Sequence, residues 1–142
     1  MNFSTRVQRM YERALRVTTA GIGGLLLAAC SAAFGQSVDV SKLPAATARP
    51  VNFVTDIQPI LEQSCLKCHN ADVSMSGLRL DDRDQALKGG VRGADIVPGQ
   101  SERSRLIHFA ARLVSDLEMP PKGQGDPLTE QEIGLLRAWI DQ

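Results

Sequence analysis

Aromatic side chains make up only 4% of this 142-residue chain, and beyond residue 50 they are Phe53, Phe109 and Trp139 alone. Three rings are little bulk for the core of a small domain, so some other large apolar body is expected to fill it. Net charge is absent as well, since 16 basic and 16 acidic residues cancel. That balance argues against a protein held to nucleic acid by a basic surface. No apolar run reaches the roughly 20 residues that a bilayer-spanning helix needs. Disorder is argued against by a chain that is 43% hydrophobic and 23% charged, and the length suits one folded domain rather than a multidomain enzyme with a large cleft.

The first 16 residues carry Arg6, Arg9, Arg13 and Arg16 against one acid, Glu12, and the next 22 positions, Val17 to Val38, carry no charge. The apolar part, Val17 to Ala29, is 13 residues long, inside the range of about 7 to 15 for the hydrophobic region of a signal peptide. Residues 1–30 therefore read as an export signal. Leu27-Ala28-Ala29-Cys30 resembles a bacterial lipobox, in which Cys30 would be acylated and become the mature N-terminus. Cleavage after Gly35, with Ala33 and Gly35 as the required small residues, is the alternative, and an uncleaved anchor is a third. All three place the domain outside the cytoplasm, in a periplasm and, with a lipid on Cys30, at a membrane. Without residues 1–30 the chain keeps 12 basic and 15 acidic residues, a formal charge of −3. Asp81, Asp82 and Asp84 concentrate part of it, either as a surface that orients a basic partner or as a solvated loop.

Residues 31–50 are rich in Ala, Ser and Pro, follow no period and read as a flexible tether. Residues 51–142 are the folded unit, with three main helices, loops rich in Gly and Pro, and no strand pattern; the expected class is all-α. The first helix is predicted over Asp56 to Cys65, with Pro59 tolerated in its first turn. A second is predicted from Ser101 as N-cap, carrying Leu106, Ile107, Ala110, Leu113 and Val114. The third starts at Thr129, where Glu132 completes a capping box, and presents Ile133, Leu136 and Ile140 with Leu135 and Trp139. A short helical turn is expected near Asp82 to Leu87.

The chemistry lies in Cys65-Leu66-Lys67-Cys68-His69. C-x-x-C-H is the attachment signature of haem c: two thiols form thioethers with the vinyl groups of one porphyrin, and the adjacent imidazole binds iron from one face. A disulfide, a thioredoxin-like redox pair and half of a zinc site are the competing readings. The redox pair lacks a preceding strand in a βαβ setting, and the zinc site lacks a second ligand pair. Candidates for the sixth iron ligand are Met75, Met119 and His108. Met119 leads because Glu118-Met119-Pro120-Pro121 restricts the backbone around a thioether; His108, in mid-helix, is the alternative. Imidazole plus thioether fills both axial positions and favours the ferrous state, which suits an electron carrier. A covalently held apolar plate would also answer the shortage of aromatic bulk. Phe53 and Trp139 are expected to pack where the first and last helices cross, and the carbonyl of Pro98 is a candidate acceptor for the His69 ring N–H.

These residues resemble the class I c-type cytochromes and, among them, the planctomycete-type cytochrome c domain. The likeness runs from about Asn52 to Asp141. It rests on Asp56-Ile57 with Pro59-Ile60-Leu61, the Cys65–His69 motif, Gly77-Leu78-Arg79-Leu80-Asp81, Ala86-Leu87 with Gly89-Gly90, Ile96-Val97-Pro98-Gly99, Met119-Pro120-Pro121, and Leu128-Thr129 leading to Leu136-Arg137 and Trp139-Ile140-Asp141. The resemblance implies one covalently bound haem, His69 as proximal ligand, Met119 as distal ligand, and exchange of electrons with periplasmic or membrane redox proteins rather than bond chemistry. A haem-based sensor, or a haem subunit of a larger periplasmic oxidoreductase, is the alternative. Many relatives lie inside larger exported proteins, whereas this chain stops at Gln142 just after the last helix, so activities of neighbouring domains do not carry over.

Overall fold

The computed structural model describes residues 37–142. The expected export signal (1–30), Cys30 and the alternative cleavage point after Gly35 lie outside the described residues. Among the described residues four α-helices follow one another: α1 (Gln58–Ser64), α2 (Arg83–Lys88), α3 (Arg105–Ala110) and α4 (Glu130–Asp141). No strand occurs among the described residues, only isolated bridges between His69 and Ser74 and between Gly90 and Gly93. The class is all-α, as expected.

The chain enters α1 through a wide π-turn, Phe53–Ile57. Asn52 caps that turn, its side-chain oxygen accepting from the N–H groups of Val54 and Thr55, so helical structure begins ahead of the predicted Asp56. Pro59 stands in the first turn of α1, where its missing N–H would have had no helical partner. Ile57, Ile60 and Leu61 turn inward and are buried.

The predicted second helix is broken. Ser101–Arg103 forms a 3-10 turn, Ser104 is extended, and α3 covers only Arg105–Ala110. The cause is the fully buried Ser104 side chain, which accepts from the Val97 N–H at 2.9 Å and donates to the Gln100 carbonyl at 3.0 Å, a local alternative to continuous helix. Ser101 is not an N-cap: its N–H and its hydroxyl both donate to the Asp141 carboxylate, each at 2.7 Å. At the other end Arg112 adopts a left-handed φ of 58°, so Leu113 and Val114 leave the helix.

α4 has the predicted capping box, with Thr129 Oγ1 accepting from the Glu132 N–H and the Glu132 carboxylate accepting from the Thr129 N–H. It buries Ile133, Leu136 and Ile140, each contributing about 1.5–3 kcal/mol by leaving water. The Phe53 and Trp139 rings meet with centroids 5.8 Å apart and planes tilted by 44°, joining the π-turn to α4 as anticipated.

The expected tether behaves differently over Val40 to Pro50. Thr47 donates its N–H to the Gly134 carbonyl at 3.0 Å, and the buried Arg137 guanidinium donates to the Pro44 carbonyl. Gln142 accepts from the Val51 N–H and donates to the Arg49 carbonyl. The segment is a strap laid on α4, and Gly134 makes room for it: a Cβ there would stand 2.8 Å from the Ala45 carbonyl oxygen. Composition missed this because the strap is held mainly through its backbone.

Arg49 closes the strap with two hydrogen bonds to Asp56, at 2.9 and 2.7 Å. The Arg49 guanidinium, with the Asn52 N–H, holds the Asp56 carboxyl down to about 2. Because this folded value is depressed from 3.8, the stabilisation is fully present above pH 3.8 and disappears as the pH falls through about 2. Denaturation curves of Asp56→Asn and the parent should therefore differ at neutral pH and converge toward pH 2; a difference constant across that range would remove Asp56 from the acid response.

Candidate functional site

The end of α1 delivers the attachment motif. The Cys65 N–H donates to the Leu61 carbonyl at 2.8 Å, and the N–H groups of Cys68 and His69 both donate to the Cys65 carbonyl, at 3.1 and 3.0 Å. One turn off the helix thus brings two thiols and an imidazole to the wall of one cavity of about 200 Å³. Its floor is apolar, with Leu80, Leu128 and Leu136 buried beneath it.

Both thiols are free. Burial pushes the Cys65 thiol up to about 11, so it is protonated at neutral pH. A thioredoxin-like pair needs the opposite shift, a thiolate stabilised near or below neutrality. No further His, Cys, Asp or Glu gathers with this pair into a metal cluster among the described residues, which leaves the zinc reading without ligands.

His69 Nδ1 lies 3.3 Å from the Leu78 carbonyl oxygen, so Leu78 rather than Pro98 supplies the acceptor. The intervening loop is tied back: the Leu80 N–H donates to the His69 carbonyl, the Met75 N–H to the Cys68 carbonyl, and Asn70 caps its turn by accepting from the N–H groups of Asp72 and Val73. An acceptor at Nδ1 fixes that nitrogen as the protonated one and leaves Nε2 with a lone pair for a metal.

Met119 lines the same cavity from 50 residues further along the chain. Its placement follows from the end of α3, where carbonyls lack helical partners. The Phe109 carbonyl accepts from the Met119 N–H at 3.0 Å, and the Arg112 guanidinium reaches the Pro120 carbonyl. The Met119–Pro120 peptide is cis, and Pro120 is buried. Met75 also touches the cavity but is 57% exposed, on the rim beside Cys68. His108 does not line it: that ring is buried, with Nε2 2.7 Å from the Glu102 carbonyl oxygen.

Free paired thiols, an imidazole with one nitrogen engaged, a thioether and an apolar interior form a donor set that fits haem c. An all-α domain built around such a set is what a c-type cytochrome would present. Residues 65–123 match the family described as Planctomycete cytochrome C, a match that supports a planctomycete-type cytochrome c domain over that stretch. The matched span opens at Cys65 and closes after Met119, so it encloses both walls of the cavity. No curated protein and no solved structure matches the chain.

The loop from Gly89 to Asp95, which no sequence motif marks as part of the site, puts Gly90, Val91, Arg92 and Asp95 on the cavity wall. Its signal in the sequence is the glycine spacing. A Cβ on Gly89 would stand 2.2 Å from the Gly93 carbonyl oxygen, and one on Gly90 2.6 Å from the Ser76 carbonyl oxygen.

Proposed function

We propose that this protein is an exported carrier of single electrons with one haem c, joined by thioethers to Cys65 and Cys68 and ligated by His69 and Met119. The observation that carries the reading is the convergence of Cys65, Cys68, His69 and Met119 on one apolar cavity, although the methionine is distant in sequence. When bound, the haem supplies an Fe(III)/Fe(II) couple.

The chain's own residues prepare the site. Leu78 accepts from His69 Nδ1 and orients the ring; the Phe109 carbonyl anchors the backbone of Met119. Leu80, Leu128 and Leu136 keep water from the interior, which raises the cost of the extra charge on ferric iron and so favours the reduced form. His69 and Met119 would together take the positions that a gas or a substrate needs, so the protein would pass electrons without making or breaking bonds. Its partners are periplasmic or membrane redox proteins, and acylation of Cys30 would hold it at the membrane; both readings rest on the sequence of residues 1–30.

The test is the visible and near-infrared spectrum of the purified exported protein, oxidised and reduced, with and without carbon monoxide. Low-spin covalent haem, a methionine-to-iron charge-transfer band and indifference to the gas are expected. A high-spin, gas-responsive spectrum would replace electron transfer by sensing or catalysis, and absence of covalent haem would overturn the proposal entirely.

A further inference from the structure

His108 is buried near the end of α3, and the site described above makes no use of it. Its neighbours Leu106, Phe109 and Ala110 stand on the cavity wall, whereas its own ring is bonded elsewhere. A carbonyl oxygen can only accept, so the 2.7 Å contact with Glu102 makes Nε2 the protonated nitrogen of that ring. The turn that carries this carbonyl is pinned from several sides. Ser101 gives its N–H and its hydroxyl to Asp141 and accepts from Arg137 Nε at 3.2 Å, while the Glu102 carboxylate accepts from Arg137 Nη2 at 2.9 Å. Arg137 also reaches the strap at Pro44. Ser101–Arg103 is thus a fixed point against α4, and the His108 ring ties the far end of α3 to it.

That end of α3 carries the distal arm of the site. The His108 carbonyl accepts from the Leu113 N–H at 2.9 Å, and the Phe109 carbonyl accepts from the N–H groups of both Arg112, at 3.1 Å, and Met119, at 3.0 Å. The last carbonyls of a helix have no partners within it, so here they serve as hooks for the arm. Where the end of α3 rests decides where the hooks stand, and with them Met119.

Resting on the haem reading above, we propose that His108 is a positioning residue for the distal ligand, its Nε2–H bond to the Glu102 carbonyl fixing the place of the Met119 thioether. A ligand is only as well placed as the groups that hold it, and displacements of about 0.5 Å are felt at a functional site. The bond joins two parts of the fold that would otherwise drift apart: the turn locked to α4 and the helix end from which the methionine hangs. His108 therefore serves the iron through Met119 rather than by binding it.

The test compares the holoprotein with His108→Phe, His108→Asn and His108→Gln. Phenylalanine keeps a flat ring but cannot donate; a glutamine amide nitrogen can stand where Nε2 stands, and that of asparagine falls short of it. The readouts are the methionine-to-iron charge-transfer band, the midpoint potential and the response of the ferrous protein to carbon monoxide. His108→Phe and His108→Asn are expected to weaken the band, admit the gas and move the ferrous–ferric equilibrium about tenfold toward ferric, about 59 mV for one electron. His108→Gln should bring all three back toward the parent. A role in packing alone would lower the denaturation midpoint and leave band and potential unchanged; that result in His108→Phe or His108→Asn overturns the assignment, as does a His108→Gln protein no closer to the parent than His108→Asn. Should His108→Phe yield no holoprotein, His108→Asn against His108→Gln decides. Each of these failures leaves the haem reading intact, whereas a parent protein without the methionine band removes both proposals.

Discussion

Met119→Ala lowers the reduction potential by on the order of 100 mV, a modest share of the ~0.8 V that axial ligation commands, and lets carbon monoxide bind the ferrous protein. Thioether ligation favours ferrous iron more than water or a second imidazole does, so its loss shifts the couple toward ferric. The backbone at position 119 is held by the Phe109 carbonyl rather than by the side chain, and the neighbouring Pro120 is buried. The substitution should therefore open the iron without unfolding the loop. Loss of the methionine charge-transfer band together with a new gas adduct is the signature. An unchanged potential and spectrum would take Met119 out of the coordination sphere and return the sixth position to Met75 or His108.

Gly89→Ala destabilises the domain by about 3 kcal/mol, near the upper end of what single substitutions commonly cost. Two causes combine. Gly89 closes α2 with φ 77° and ψ −172°, a region that is essentially restricted to glycine and strained by on the order of 1–3 kcal/mol for other residues. The added Cβ would also stand 2.2 Å from the Gly93 carbonyl oxygen and 2.7 Å from Ala94 Cα, both backbone atoms that no side-chain rotation can move aside. Chemical denaturation followed by absorbance of the bound haem measures the effect. A midpoint within error of the parent would show that the Gly89–Ala94 loop is softer than its contacts imply.

The attachment motif was legible because C-x-x-C-H is a local pattern whose chemistry dictates its spacing. Met119 was singled out by the prolines beside it, which limit the backbone, and the fold places it on the cavity wall. α4 could be read from Thr129 and Glu132, whose capping box depends only on neighbours three residues apart. What the sequence concealed was set by distant backbone atoms. The break at Ser104 depends on Val97 and Gln100, which no helical period reports. The acceptor for His69 is the carbonyl of Leu78 rather than that of Pro98, and every residue offers a carbonyl equally well. Nothing in the sequence distinguishes Arg92 and Asp95 from other loop charges, and only the fold places them on the cavity wall. The strap over α4 escaped for the same reason as Leu78, since Pro44 and Thr47 act mainly through their backbones.

The hydrogen bonds that Gln142 makes to Val51 and Arg49 bring the two ends of residues 49–142 to one spot on the surface. To a host polypeptide, this stretch would look like a brief detour that leaves the path and rejoins it almost where it left. Domains of that shape can be spliced into an exposed turn of another protein with little disturbance to either partner. If its cavity holds haem as proposed, such a stretch would be a portable part, suited to being placed wherever a larger assembly needs another stepping stone for charge.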